Sequence, residues 1–137
     1  MTVKRHVLDE AVREMLASVT HRPIALLEFS GETPPEMPYG ILYPLFTDEG
    51  ESSWADPTES LDLRYQVTCV GSDPKMTGWM STEVRRAMVS YGDNGHRYLI
   101  FAPGVTVEAR WGEGQGAIIP GGRDLYQTED TYLVRAT

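Results

Sequence analysis

Residues 61–91, LDLRYQVTCVGSDPKMTGWMSTEVRRAMVSY, decide how this chain folds. In the first part Leu61, Leu63, Tyr65, Val67 and Cys69 alternate with Asp62, Arg64, Gln66 and Thr68. Side chains of a strand point to opposite faces in turn, so this pattern is a strand with one apolar and one polar face. Gly71, Ser72, Asp73 and Pro74 then make a turn. Ser72 or Asp73 is placed to cap a helix and Pro74 suits its first position. Met76, Trp79, Met80, Val84, Ala87, Met88 and Tyr91 follow at helical spacing, with Lys75, Glu83, Arg85 and Arg86 elsewhere on the circumference. Gly78 costs such a helix roughly 1 kcal/mol relative to Ala, which a buried stripe offsets. The Met and aromatic stripe is core in kind, not a cofactor box.

Upstream, Val3 to Val19 carries Val3, Val7, Leu8, Ala11, Val12, Met15, Leu16 and Val19 as one stripe, which predicts a helix stopped before Pro23. Ile24 to Phe29 reads as a short strand or extended connector, and Ser30 to Pro38 as a loop. Tyr39 to Phe46 returns to strand character, and Pro44 there marks an edge, a bulge or a strand end. Thr47 to Ser60 is acidic and reads as a long exposed loop without calcium-loop spacing. Downstream of the Gly92–Gly95 stop, Arg97–Phe101 and Val105–Trp111 read as strands joined by Ala102-Pro103-Gly104. Gly112–Gly116 reads as a flexible loop, Pro120-Gly121-Gly122 as a turn, and Leu125–Ala136 as a closing strand with Tyr126, Tyr132 and Val134 on one side. The order of elements predicts one α+β domain over residues 1–137: a two-layer fold with a mainly antiparallel mixed sheet and two helices packed on one face. The wet alternate positions leave the other face open to water or to a partner.

Composition narrows the function. With 137 residues, of which 41% are apolar, the chain can build a core. It contains no apolar run long enough to span a bilayer, and Asp9, Glu10 and Glu14 break any secretory leader. A net charge of −8 disfavours a nucleic-acid grip, which needs clustered Lys and Arg. It is compatible with DNA sliding past. The single cysteine, Cys69, excludes an internal disulfide and a multi-thiolate zinc site, and suits a reducing cytosol.

No catalytic constellation is visible. His6, His21 and His96 form no pair at metal-ligand spacing. A His21–Cys69 couple has nothing to orient it. No serine lies in a nucleophile-elbow setting, and the glycines after Trp111 lack the spacing of a dinucleotide fingerprint. The expectation is a protein without enzymatic activity, metal or cofactor.

The segment YQVTCVGSDPKMTGWMSTEVRRAMV resembles the signature of siphophage tail terminator proteins, a family at the head–tail joint of long-tailed phages. Tyr65, Gln66, Val67, Thr68, Val70 and Gly71 match its strand, and Trp79, Met80, Val84, Arg85 and Arg86 match its helix. Pro38-Tyr39 with Leu42-Tyr43-Pro44-Leu45 is similar to an upstream family strand. Trp54-Ala55-Asp56-Pro57 sits where the family has an acidic loop. The likeness covers about the central half of the chain by motif and the ends by order of elements. It implies a virion structural subunit that forms a hexameric ring, caps the tail tube, ends tail polymerisation and joins the tail to a head-completion or connector protein. DNA would pass through the lumen without specific binding, and assembly would take place in the host cytoplasm. Alternative readings are another neck or tail ring protein, such as a head-closure or tail-tube subunit, and a small-ligand-binding or enzymatic α+β domain. For subunit contacts the residues expected are Asp48, Glu49, Glu51 and Asp56 of the acidic stretch, with Arg85 and Arg86 as ion-pair partners.

Overall fold

Two helices, each followed by three strands, make up a computed structural model that describes residues 5–29, 31, 35–45, 61–90, 97–122 and 124–137. They are α1 (Arg5–Thr20), β1 (Ile24–Leu26), β2 (Tyr39–Leu45), β3 (Leu61–Gly71), α2 (Pro74–Val89), β4 (Val107–Gln115), β5 (Ile119–Gly122) and β6 (Leu125–Ala136). The fold is α+β, with a mixed sheet in the order β1-β2-β3-β6-β4. β1 runs parallel to β2 and every other pairing is antiparallel. β5 takes over alongside β6 where β4 ends, so β4 and β5 together line one flank of the long final strand.

The β3–β6 register sorts the two faces. Leu63, Tyr65, Val67 and Cys69 lie opposite Val134, Tyr132, Asp130 and Thr128, and all eight are buried. Both helices cover this face. The Tyr65 hydroxyl donates to Asp9 Oδ1 of α1 at 2.6 Å, and Ser81 Oγ of α2 donates to Asp130 Oδ2 at 2.6 Å. Leu8, Val12 and Leu16 of α1 and Met80, Val84 and Met88 of α2 fill the space between, all fully buried. Each such side chain contributes roughly 1.5–3 kcal/mol by leaving water.

Local chemistry sets the helix ends. Asp73 accepts from the Met76 N–H at 2.8 Å as the N-cap of α2, and Pro74 occupies the first turn, where its missing N–H has no intrahelical partner to lose. At the end of α1, Thr20 Oγ1 donates back to Leu16 O and His21 turns left-handed at φ 56° before Pro23.

The structure departs from the sequence expectations at four places. Trp79 is 47% exposed, while Thr77 and Ser81 are buried in its stead. The buried stripe of α2 is rotated because Ser81 is drawn to Asp130 and Thr77 Oγ1 to the carbonyls of Asp73 and Tyr126. Residues 98–101 form no strand, although Ile100 and Ala102 enter the core. The glycine run after Trp111 is not a loop, since β4 continues through Gln115, and Ile119–Gly122 is a strand rather than a turn. Here β6 supplies the ladder partners, and pairing outweighs the weak strand preference of glycine. Pro44 lies inside β2 but beyond the last residue that β1 covers, Leu42, so its missing N–H falls on a locally open edge.

Candidate functional site: the uncovered sheet face and its open edge

Turned away from the helices are Asp62, Arg64, Gln66, Thr68 and Val70 of β3, facing Arg135, Leu133, Thr131, Glu129 and Gln127 of β6. β2 adds Tyr39, Ile41, Tyr43 and Leu45 on the same side, each half-buried. β4 adds Trp111 opposite Leu133. Neither helix lies over this face, and Phe29 sits edge-on to Tyr39 with ring centres 5.2 Å apart.

At its centre the face is ordered by cross-strand charge pairs. Arg135 donates twice to Asp62, from Nε to Oδ1 at 2.7 Å and from Nη2 to Oδ2 at 3.1 Å. These bonds hold the Asp62 carboxyl below the usual carboxylate range. Arg64 Nε donates to Glu113 Oε2 at 2.9 Å. The Arg135 guanidinium stacks 5.1 Å over the Trp111 ring, which is 41% exposed above a buried Leu133. Two ion pairs thus flank the apolar Trp111–Leu133 pair next to the β4 edge. Exposed pairs of this kind add little to stability, about 0.2–1 kcal/mol each, but they fix side-chain positions. A preorganised surface with an exposed aromatic beside its open edge is suited to recognition.

The two sheet edges differ. β1 is three residues long and its outward carbonyls are occupied: Arg13 Nη1 donates to Ile24 O at 3.4 Å, and the Glu28 N–H donates to Leu26 O at 2.9 Å. β4 is longer. Its start is overhung by residues 97–100, since Arg110 is buried and donates from Nη2 to Tyr98 O at 2.5 Å. Burial and the Arg97 charge push the Arg110 guanidinium down to about 10. From Trp111 to Gln115 every residue is exposed and no described strand pairs on the outer side.

The expected contact residues fall in different settings. Asp48, Glu49, Glu51 and Asp56 lie outside the described residues. Arg85 and Arg86 are adjacent on α2 but engaged differently. Arg86 is held within its own chain: it donates to Glu83 Oε2 at 2.7 Å and to the Tyr98 hydroxyl, and lies over the Tyr98 ring. Arg85 reaches over Gly112 of β4, where a Cβ would come 3.0 Å from its Nη1. Among the described residues no carboxylate is within ion-pair distance of it. Asp62, Arg64, Trp111, Glu113, Leu133 and Arg135 are the residues that sequence reasoning did not single out. The polar alternation of β3 marks Asp62 and Arg64, but their partners lie 73 and 49 residues away.

Reactive groups elsewhere are subdued. Burial pushes the Cys69 thiol up to about 12, which keeps it protonated, and His21 is exposed at the end of α1. Burial raises the Asp9 carboxyl above its ordinary value, while the Tyr65 hydroxyl and the Arg5 charge oppose the rise. Asp130 is buried with both oxygens in use, accepting from Ser81 Oγ and from the Gly116 N–H at 2.9 Å. An open groove of about 470 Å³ lies between α1 and Phe101, and its charged lining of His6, Glu10 and Glu14 faces solvent. Glu10 there is already paired with Arg13 at 2.6 Å. Among the described residues no cluster of three or more His, Cys, Asp or Glu is arranged to hold a metal ion. The chain matches no family model and no curated protein.

Proposed function

We propose that this chain is a structural subunit of the head–tail joint of a long-tailed phage, of the tail terminator kind. In this reading it assembles into a hexameric ring on the last ring of the tail tube, ends tube growth and presents a surface to the head connector. What carries the reading is the resemblance at Tyr65–Gly71 and Trp79–Arg86. These residues occupy β3 and α2, the central strand and a helix of the fold.

Two features of the geometry support it. The chain has a broad ordered face, with Trp111 and Leu133 framed by Asp62–Arg135 and Arg64–Glu113, that neither helix covers. Among the described residues it also has an open stretch of sheet edge, Trp111–Gln115 of β4. Both are surfaces for other protein. A net charge of −8 fits a lumen through which DNA passes, since like charges disfavour a lasting grip. Size-exclusion chromatography with light scattering, alone and with tail tubes added, tests the reading. A hexamer, or a monomer that becomes one on tubes, is expected. A stable monomer that saturably binds a metabolite would overturn it.

A further inference from the structure

An open sheet edge is a template for another strand, because alternate N–H and C=O groups point away from the last ladder. This sheet blunts one edge and leaves the other. At β1 the strand is short, its outward carbonyls are occupied, and Leu27 turns away at φ 71°. At β4 the stretch Trp111–Gln115 carries no Lys and no Pro, is exposed throughout, and pairs with no described strand on its outer side. A bulge between Gly112 and Gly114 bends the strand, so any added ladder is short and side chains must supply part of the selectivity.

Those side chains are donors without an anionic acceptor among the described residues. Arg85 extends from α2 over Gly112, where a Cβ would come 3.0 Å from its Nη1 and push the guanidinium aside. No carboxylate of the described residues pairs with it. Opposite Gly112 in the ladder is Tyr132, whose buried hydroxyl lies beside the Arg85 guanidinium and finds no acceptor for its own proton among the described residues. Burial raises that hydroxyl well above the ordinary tyrosine value, and the Arg85 charge opposes the rise. A guanidinium without a carboxylate partner, beside a buried O–H whose proton has no acceptor among the described residues, is suited to receive a carboxylate. With 20 Asp and Glu against 12 Lys and Arg, a second copy is rich in that group.

We propose that Trp111–Gln115 of β4 pairs by strand addition with an extended, carboxylate-bearing segment of a second copy of this chain, the carboxylate seating on Arg85. A two-fold pairing of β4 with its own copy is disfavoured, because it would bring the two Arg85 guanidinium groups together across the axis. The contact therefore joins an edge to a different surface of the neighbour. Such heterologous contacts repeat around a ring when the rotation closes. The proposal rests on the ring-subunit reading for the identity of the incoming chain.

The test is analytical ultracentrifugation of the wild type, Arg85→Glu and Arg85→Lys, with backbone hydrogen exchange on the free and assembled protein. Slowed exchange at residues 111–115 in the assembly is expected. Arg85→Glu should raise the concentration for half-assembly by about tenfold or more, and Arg85→Lys by less, since it keeps the charge and loses the fork. Exposed Arg85 leaves the fold intact on substitution, which unchanged monomer circular dichroism verifies. A ring in which residues 111–115 exchange as fast as in the monomer, or an Arg85→Glu protein that assembles like the wild type, overturns this proposal and leaves the ring reading standing. A wild type that stays monomeric even on tail tubes overturns both.

Discussion

Ser81→Ala removes one of the two hydrogen bonds that Asp130, a carboxylate buried on the helix-covered face, accepts from described residues. Asp130 is 1% exposed and accepts from Ser81 Oγ at 2.6 Å and from the Gly116 N–H at 2.9 Å. A hydrogen bond to a charged group is worth about 1.5–3 kcal/mol when its loss leaves the partner buried. Alanine is the better helix former, by about 0.5 kcal/mol over serine, and this offsets part of the loss. The net expectation is about 1–2.5 kcal/mol of destabilisation, or roughly 3–10 °C in Tm for a domain of this size. Urea unfolding followed by circular dichroism measures it. Asp130→Asn is the control. Its side-chain oxygen still accepts from Gly116, and its NH2 can donate to Ser81 Oγ, so it should cost less than Ser81→Ala. A Ser81→Ala protein as stable as the wild type would refute the reasoning. So would strict additivity of Ser81→Ala with Asp130→Ala, because residues sharing one bond should couple.

Gly116→Ala should destabilise by about 1–3 kcal/mol in the same assay, since a Cβ there would come 2.5 Å from the Glu129 carbonyl oxygen and force the backbone that donates to Asp130 to shift. Arg86→Ala, by contrast, should stay within about 0.5 kcal/mol of the wild type, because its bonds to Glu83 and Tyr98 are at the surface. Asp9 gives a pH signature. Its folded-state pKa lies above the ordinary 3.8, so between that value and its folded pKa the native state holds more protons than the unfolded one. Stability from this group is therefore present below 3.8 and is lost as pH rises through its folded pKa. Asp9→Asn should remove that loss, which urea midpoints measured across the acid range will show.

The strand, turn and helix of residues 61–89 were legible because most levels pointed the same way: alternation at Leu61–Cys69, a cap at Asp73, Pro74 at the helix start and apolar helical spacing beyond, Trp79 excepted. The end of the chain was less so. Thr128 and Asp130 are polar residues at inward positions of β6, and they blur the alternation that would mark its buried face. The glycines of 112–122 read as loop by propensity, and only their partner strand makes them a ladder. At the site, the wet alternate residues Asp62 and Arg64 predicted an open face, while Arg135, Glu113 and Trp111 joined it through long-range register. The two neighbouring arginines of α2 look equivalent in sequence. One meets Glu83 three residues before it; the other is carried over a glycine of a distant strand.

The most direct measurement of the central claim is electron microscopy of particles assembled without this protein. Overlong tails, or tails of set length that do not join heads, are the predicted result, with normal particles restored when the chain is supplied. Tails of normal length joined to filled heads in its absence would contradict the account.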